Sequence, residues 1–186
     1  MDNTNMNHSE RLSFYRNPIG YEIKAYITED IKEPSYYDDL VQEIGSVSKS
    51  DVVTLVFNSN GGYLETSAQL YDVIRACEAT TLAVIQGNCH SGASMLALAC
   101  DEIIVHPSAN MLIHTSTGGT IGKNSDVRKE IEFEAKRIDN LLERCYSRIL
   151  TSEEIEDLKK GIDVWLDADD ILSRLTKEEP QLELTI

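Results

Sequence analysis

Short apolar runs that alternate with helical periodicity constrain this chain more than any other feature. Val52-Val53-Thr54-Leu55-Val56-Phe57 is continuous, rich in β-formers and too short for a buried helix. Residues 81–85 repeat the pattern, and 102–105 and 111–113 give shorter versions. After the first run, Leu64, Ala68, Leu70, Tyr71, Val73 and Ile74 share one helical face. A strand apolar on both faces needs cover on both. The alternation therefore predicts an α/β fold with a mostly parallel sheet.

The remaining elements follow from local signals. Residues 21–27 alternate in character and predict a strand. Residues 34–45 predict a helix, with Ser35 as N-cap. Asn58-Ser59-Asn60-Gly61-Gly62 and Gly87-Asn88-Cys89-His90 predict turns. Residues 91–100 form a small-residue helix. Gly118, Gly119 and Gly122 mark a loop, after which 125–149 predicts a long helix with Val127, Ile131, Ile138, Leu141, Leu142, Cys145 and Ile149 near helical spacing. Thr151 and Glu154 form a capping-box pattern before another helix. Residues 1–18 are expected to be a flexible arm, 19–175 one domain and 176–186 a loosely ordered tail.

The chain has 186 residues, enough for one domain with a substantial core, and a net charge of −15. Such an acidic protein repels a phosphate backbone, so no nucleic-acid or anionic-membrane partner is expected. The N-terminal residues lack the layout of a signal peptide, and no apolar stretch is long enough to span a membrane. A soluble, cytoplasmic protein is expected. Cys77, Cys89, Cys100 and Cys145 show no C-x-x-C spacing, so buried free thiols are expected rather than a metal or redox site. No cofactor and no metal are expected.

A hydrolytic serine needs an exposed Oγ, a neutral histidine within reach and a carboxylate that orients the histidine. It also needs N–H groups aimed at the developing oxyanion. Ser91 sits where strand, turn and helix N-terminus meet. His114 follows the strand 111–113, at the end where ligands of α/β sheets collect. Gly61-Gly62 follows the strand 52–57, and its bare backbone can approach a carbonyl. Asp163 precedes Val164-Trp165-Leu166, an apolar group expected to anchor it. Taken singly, each has a plain structural alternative: cap, core histidine, turn, surface acid. Composition and spacing alone reach a soluble α/β domain, with hydrolysis among its open functions.

Four motifs in order carry a resemblance. They are Asn58-Ser59-Asn60-Gly61-Gly62, Gly87-Asn88-Cys89-His90-Ser91, Met111-Leu112-Ile113-His114 and Ile162-Asp163-Val164-Trp165-Leu166-Asp167-Ala168. Each joins the expected element, and together they resemble the proteolytic subunit of the ATP-dependent Clp protease, over about residues 21–175. Ser91-Gly92-Ala93-Ser94 with Ala99-Cys100-Asp101-Glu102-Ile103 is most similar to phage and prophage members. Asn60 stands where the family has proline, Cys89-His90 where it has small residues, and Gly92 where it has methionine or alanine. No basic residue precedes Asp163, and Ser173-Arg174-Leu175 replaces a glycine turn.

The resemblance implies a ClpP/crotonase-type α/β fold, a β-superhelix of stacked ββα units with a protruding handle helix. The handle would comprise loop 117–123 and helix 125–149. It implies a serine endopeptidase with Ser91 as nucleophile, His114 as base, Asp163 as its orienter, and Gly62 and Gly92 as oxyanion donors. His90, beside the serine, is expected to point elsewhere. The implied assembly is a homo-oligomeric ring, in the family a double heptamer, that encloses a chamber for polypeptide substrate and is fed by an ATP-dependent Clp unfoldase. Two alternatives stand beside it. One is a phage head-maturation or signal-peptide-peptidase-like serine protease. The other is a non-hydrolytic relative, either a crotonase-type acyl-CoA enzyme or a catalytically silent subunit.

Overall fold

The computed structural model describes residues 20–176. The expected arm, 1–18, lies outside the described residues, as does the expected tail apart from Thr176. The strands are β1 (Glu22–Ile27), β2 (Val52–Ser59), β3 (Thr80–His90), β4 (Glu102–Val105), β5 (Asn110–Ile113) and β6 (Val164–Asp167). The helices are α1 (Asp38–Gly45), α2 (Leu64–Arg75), α3 (Gly92–Ala99), α4 (Asn124–Tyr146), α5 (Ser152–Lys159) and α6 (Ala168–Leu175). One sheet runs in the order β1-β2-β3-β5-β6, with β4 also paired to β3. Every pairing is parallel except β5 with β6.

β2 is the centre of the core. Val53 through Phe57 are all buried, as a strand covered on both faces requires. β1, on the sheet edge, buries only Ile23, Ala25 and Ile27, and leaves the alternate positions half-exposed. α2 packs between α1 and α3. α3 is buried along its whole length, which its small residues permit.

Three expectations change. Residues 87–90 are strand rather than turn: Asn88, Cys89 and His90 pair with Asn110, Met111 and Leu112 of β5, while the earlier half of β3 pairs with β4. The ladder overrides the glycine signal. Ser35 caps nothing, because Pro34–Tyr37 forms a 3-10 turn and α1 begins only at Asp38, without a side-chain cap. Val164–Asp167 is a strand, paired to β5, rather than a simple apolar anchor. Only Leu166 of the expected anchoring group is buried, and Trp165 is 62% exposed.

The long helix is present as Asn124–Tyr146, and within it only Leu141, Leu142, Cys145 and Tyr146 are buried. Ile131 and Phe133 stand exposed on its outer part, with Ile121 in the loop before it. The helix thus projects from the domain and is anchored at its C-terminal end. The Thr151–Glu154 capping box forms as its pattern requires. Cys89, Cys100 and Cys145 are buried, Cys77 is half-buried, and all four thiols are free.

Candidate active site

Ser91 occupies the single residue between β3 and α3. It has φ 53° and ψ −126°, and is the one non-glycine with positive φ among the described residues. An L-residue held there costs about 1–3 kcal/mol, so surrounding bonds must impose it. Its N–H donates to the Leu112 carbonyl at 2.8 Å, and its own carbonyl accepts from the Ser94 N–H at 2.9 Å. The Ser94 hydroxyl donates to that same carbonyl at 2.6 Å. A sharp strand-to-helix turn of this kind lifts a serine Oγ clear of the backbone.

Gly61 packs directly behind the turn. A Cβ on it would lie 2.6 Å from the His90 carbonyl and 2.7 Å from the Ser91 Cβ, so only glycine fits. Gly62 bridges to Ile31: the Ile31 N–H donates to the Gly61 carbonyl at 2.8 Å, and the Tyr63 N–H to the Ile31 carbonyl at 3.1 Å. Gly92 opens α3, where the first N–H groups have no partner within the helix. Among the described residues, neither the Gly62 nor the Gly92 N–H meets a hydrogen-bond acceptor.

Ser91, Gly92, Gly62 and His114 line one cleft of about 980 Å³. His114 is the first residue beyond β5, which lies beside the end of β3. Asp163, just before β6, is exposed and lies outside the cleft lining. The antiparallel ladder ends at the pair Ile113–Val164, and His114 and Asp163 are the next residues outward on the two strands. No hydrogen bond joins the side chains of Ser91, His114 and Asp163 in the single chain.

His90 is turned away from this cleft. Its Nε2 is bonded to the Asn110 Oδ1, whose amide nitrogen in turn donates to the Asn88 Oδ1 at 3.1 Å. Since that Oδ1 can only accept, the His90 Nε2 carries the proton. The ring also meets Trp165 edge-on at 5.5 Å. Cysteine is no rival nucleophile: burial pushes the Cys100 and Cys145 thiols up to about 12 and Cys89 higher still, so all three stay protonated. Among the described residues, no group of three His, Cys, Asp or Glu is placed to hold a metal ion.

Two cleft residues, Met95 and Tyr146, were not singled out by the sequence, and Ile138, Leu141 and Leu142 were read only as an apolar helix face. Met95, Ile138, Leu141, Leu142 and Tyr146 give the cleft an apolar wall, contributed by α3 and the anchored end of α4. Tyr146 lies four residues after Leu142, and that spacing was the available signal. Around the rim, Arg137 is held by Glu134 at 2.7 Å and by Glu65 at 3.5 Å.

The model of the Clp protease family matches residues 22–174. The chain is 28% identical over 155 residues to ATP-dependent Clp protease proteolytic subunit 2 of Chlamydia abortus, covering 79% of this chain and 74% of that one. It is 25% identical over 170 residues to proteolytic subunit 3 of Rhizobium meliloti, with 82% and 84% covered. Subunit 2 of Pseudomonas aeruginosa is 26% identical over 156 residues, with 79% and 75% covered. These bacterial relatives do not show the expected kinship to phage members. The matched span runs from β1 to α6 and takes in the elbow serine, the glycine pair and the β5–β6 ladder, so the chain belongs to the Clp protease family.

Proposed function

We propose that this protein is a serine endopeptidase in which Ser91 is the nucleophile, His114 the general base and Asp163 the group that orients His114. The observation that carries the reading is the strained Ser91 turn facing a cleft that His114 and Gly62 also line. In the reaction, His114 takes the Ser91 hydroxyl proton as Oγ attacks the scissile carbonyl. The N–H groups of Gly62 and Gly92 receive the oxyanion. His114 then protonates the leaving amine, and water enters by the reverse sequence to release the acyl group. Asp163, which directly precedes β6 as His114 directly follows β5, holds the imidazole tautomer and favours the imidazolium.

The relatives are named as proteolytic subunits of an ATP-dependent protease. That supports a homo-oligomeric ring, up to a double heptamer, whose chamber admits polypeptide threaded by an ATP-dependent unfoldase. The unjoined side chains of Ser91, His114 and Asp163 favour a second reading, a catalytically silent subunit. Labelling by a fluorophosphonate, which requires an activated serine, separates the two. Covalent labelling of wild type and none of Ser91→Ala supports the peptidase. Absence of labelling from the assembled wild-type protein overturns it.

A further inference from the structure

The Ser91 carbonyl is the meeting point of two hydroxyls that no catalytic step uses. Ser94 is fully buried and has one hydroxyl proton, which it donates to that carbonyl at 2.6 Å. Its oxygen is left to accept, and the Tyr146 phenol lies 3.0 Å from it. The phenol is also 3.4 Å from the Ser91 carbonyl itself. Tyr146 is 1% exposed, and burial raises its pKa, so it stays a neutral donor. Both hydroxyls are thus directed at the Ser91 carbonyl: Ser94 donates to it, and the Tyr146 O–H is shared between the Ser94 oxygen and, at longer range, the carbonyl itself. Such chains polarise one another and stiffen in series.

The far end of this chain is the last residue of α4. Two residues on, Arg148 donates to the carbonyls of Cys100 at 2.5 Å and Asp101 at 3.0 Å, just beyond the end of α3. The base of the projecting helix thus grips α3 at both ends. We propose that Tyr146 and Ser94 are positioning residues: a hydroxyl relay from the anchored end of α4 holds Ser91 in its positive-φ conformation and so keeps Oγ aimed into the cleft. The proposal rests on Ser91 being the nucleophile and assigns the control of its geometry to α4.

Tyr146→Phe deletes one hydroxyl and keeps the packed ring. In the full-length protein, expected results are a fall in kcat on a small peptide of about tenfold, an unchanged KM and an equally slowed fluorophosphonate reaction, as for a nucleophile displaced by a fraction of an ångström. Ser94→Ala should cost at least as much. The double variant should cost less than the two single losses combined, because both hydroxyls converge on one carbonyl. Amide hydrogen exchange in the peptide 88–95 should quicken in both variants, while peptides from β1 and β2 keep their protection. If Tyr146→Phe lowers only Tm, with kcat and labelling per folded molecule at wild-type values, or if the two losses simply add, the relay is wrong. If wild type itself fails to label, the peptidase reading falls. The exchange measurement then still decides the relay, and unchanged protection at 88–95 would overturn it.

Discussion

Ser91→Ala removes a hydroxyl from a turn whose backbone is imposed by its neighbours, so the fold should survive while chemistry stops. Peptide hydrolysis is expected to fall on the order of 10⁴-fold or more, with unchanged circular dichroism and elution volume. Activity that persists in Ser91→Ala and disappears in Ser94→Ala would move the nucleophile three residues on. His114→Ala should be nearly as damaging, because triad members act as a unit. His90→Ala should be far milder, since its ring faces Asn110 and Trp165 rather than the cleft. A larger loss of kcat/KM for His90→Ala than for His114→Ala would reverse that assignment. The strand-to-helix junction at Ser91 was readable from the small-residue helix that follows it. The positive φ of Ser91 was not, because serine carries no propensity for that region and only tertiary bonds hold it there. The contact that Tyr146 makes was equally hidden: its partner Ser94 lies 52 positions away.

At the scale of elements, helix starts with a side-chain signature were the most legible. Thr151 and Glu154 gave the beginning of α5, because both halves of that cap lie within one turn. β6 was missed since its four residues alternate too briefly for a period to show, and Trp165 suggested burial it does not have. The same cap yields a pH prediction. Glu154 is paired with Arg174 at 2.8 Å, which, with the Thr151 donors, holds its carboxyl down to about 2 against an ordinary 4.5. A depressed carboxyl stabilises the fold above its unfolded value and loses that contribution as pH falls through the folded one. Arg174→Ala should therefore destabilise by about 1 kcal/mol at pH 7, the pair being partly solvent-screened. Urea titrations should show this difference shrinking from pH 4.5 toward 2. A difference that stays constant across that range would mean that Arg174 acts through packing alone.

The whole molecule carries −15, and any ring of identical copies brings like charges together. Salt screens that repulsion, so self-association should tighten as ionic strength rises. Sedimentation at low and high salt tests this. A 20.8 kDa monomer in both that still cleaves peptides would rule out the chamber and leave the triad standing alone. The family fold and the order of its elements were legible because strand-and-helix alternation is written in local composition. The way α4 meets the site was not, because its period reads the same whether a helix is buried or projects. That projection has a mechanical consequence. From Tyr146 back to Asn124 the helix runs about 33 Å, at 1.5 Å per residue. It is a lever with its fulcrum beside Ser91. A 10° tilt about that end moves the tip by roughly 6 Å, and a modest load applied at the tip is multiplied where Tyr146 meets Ser94.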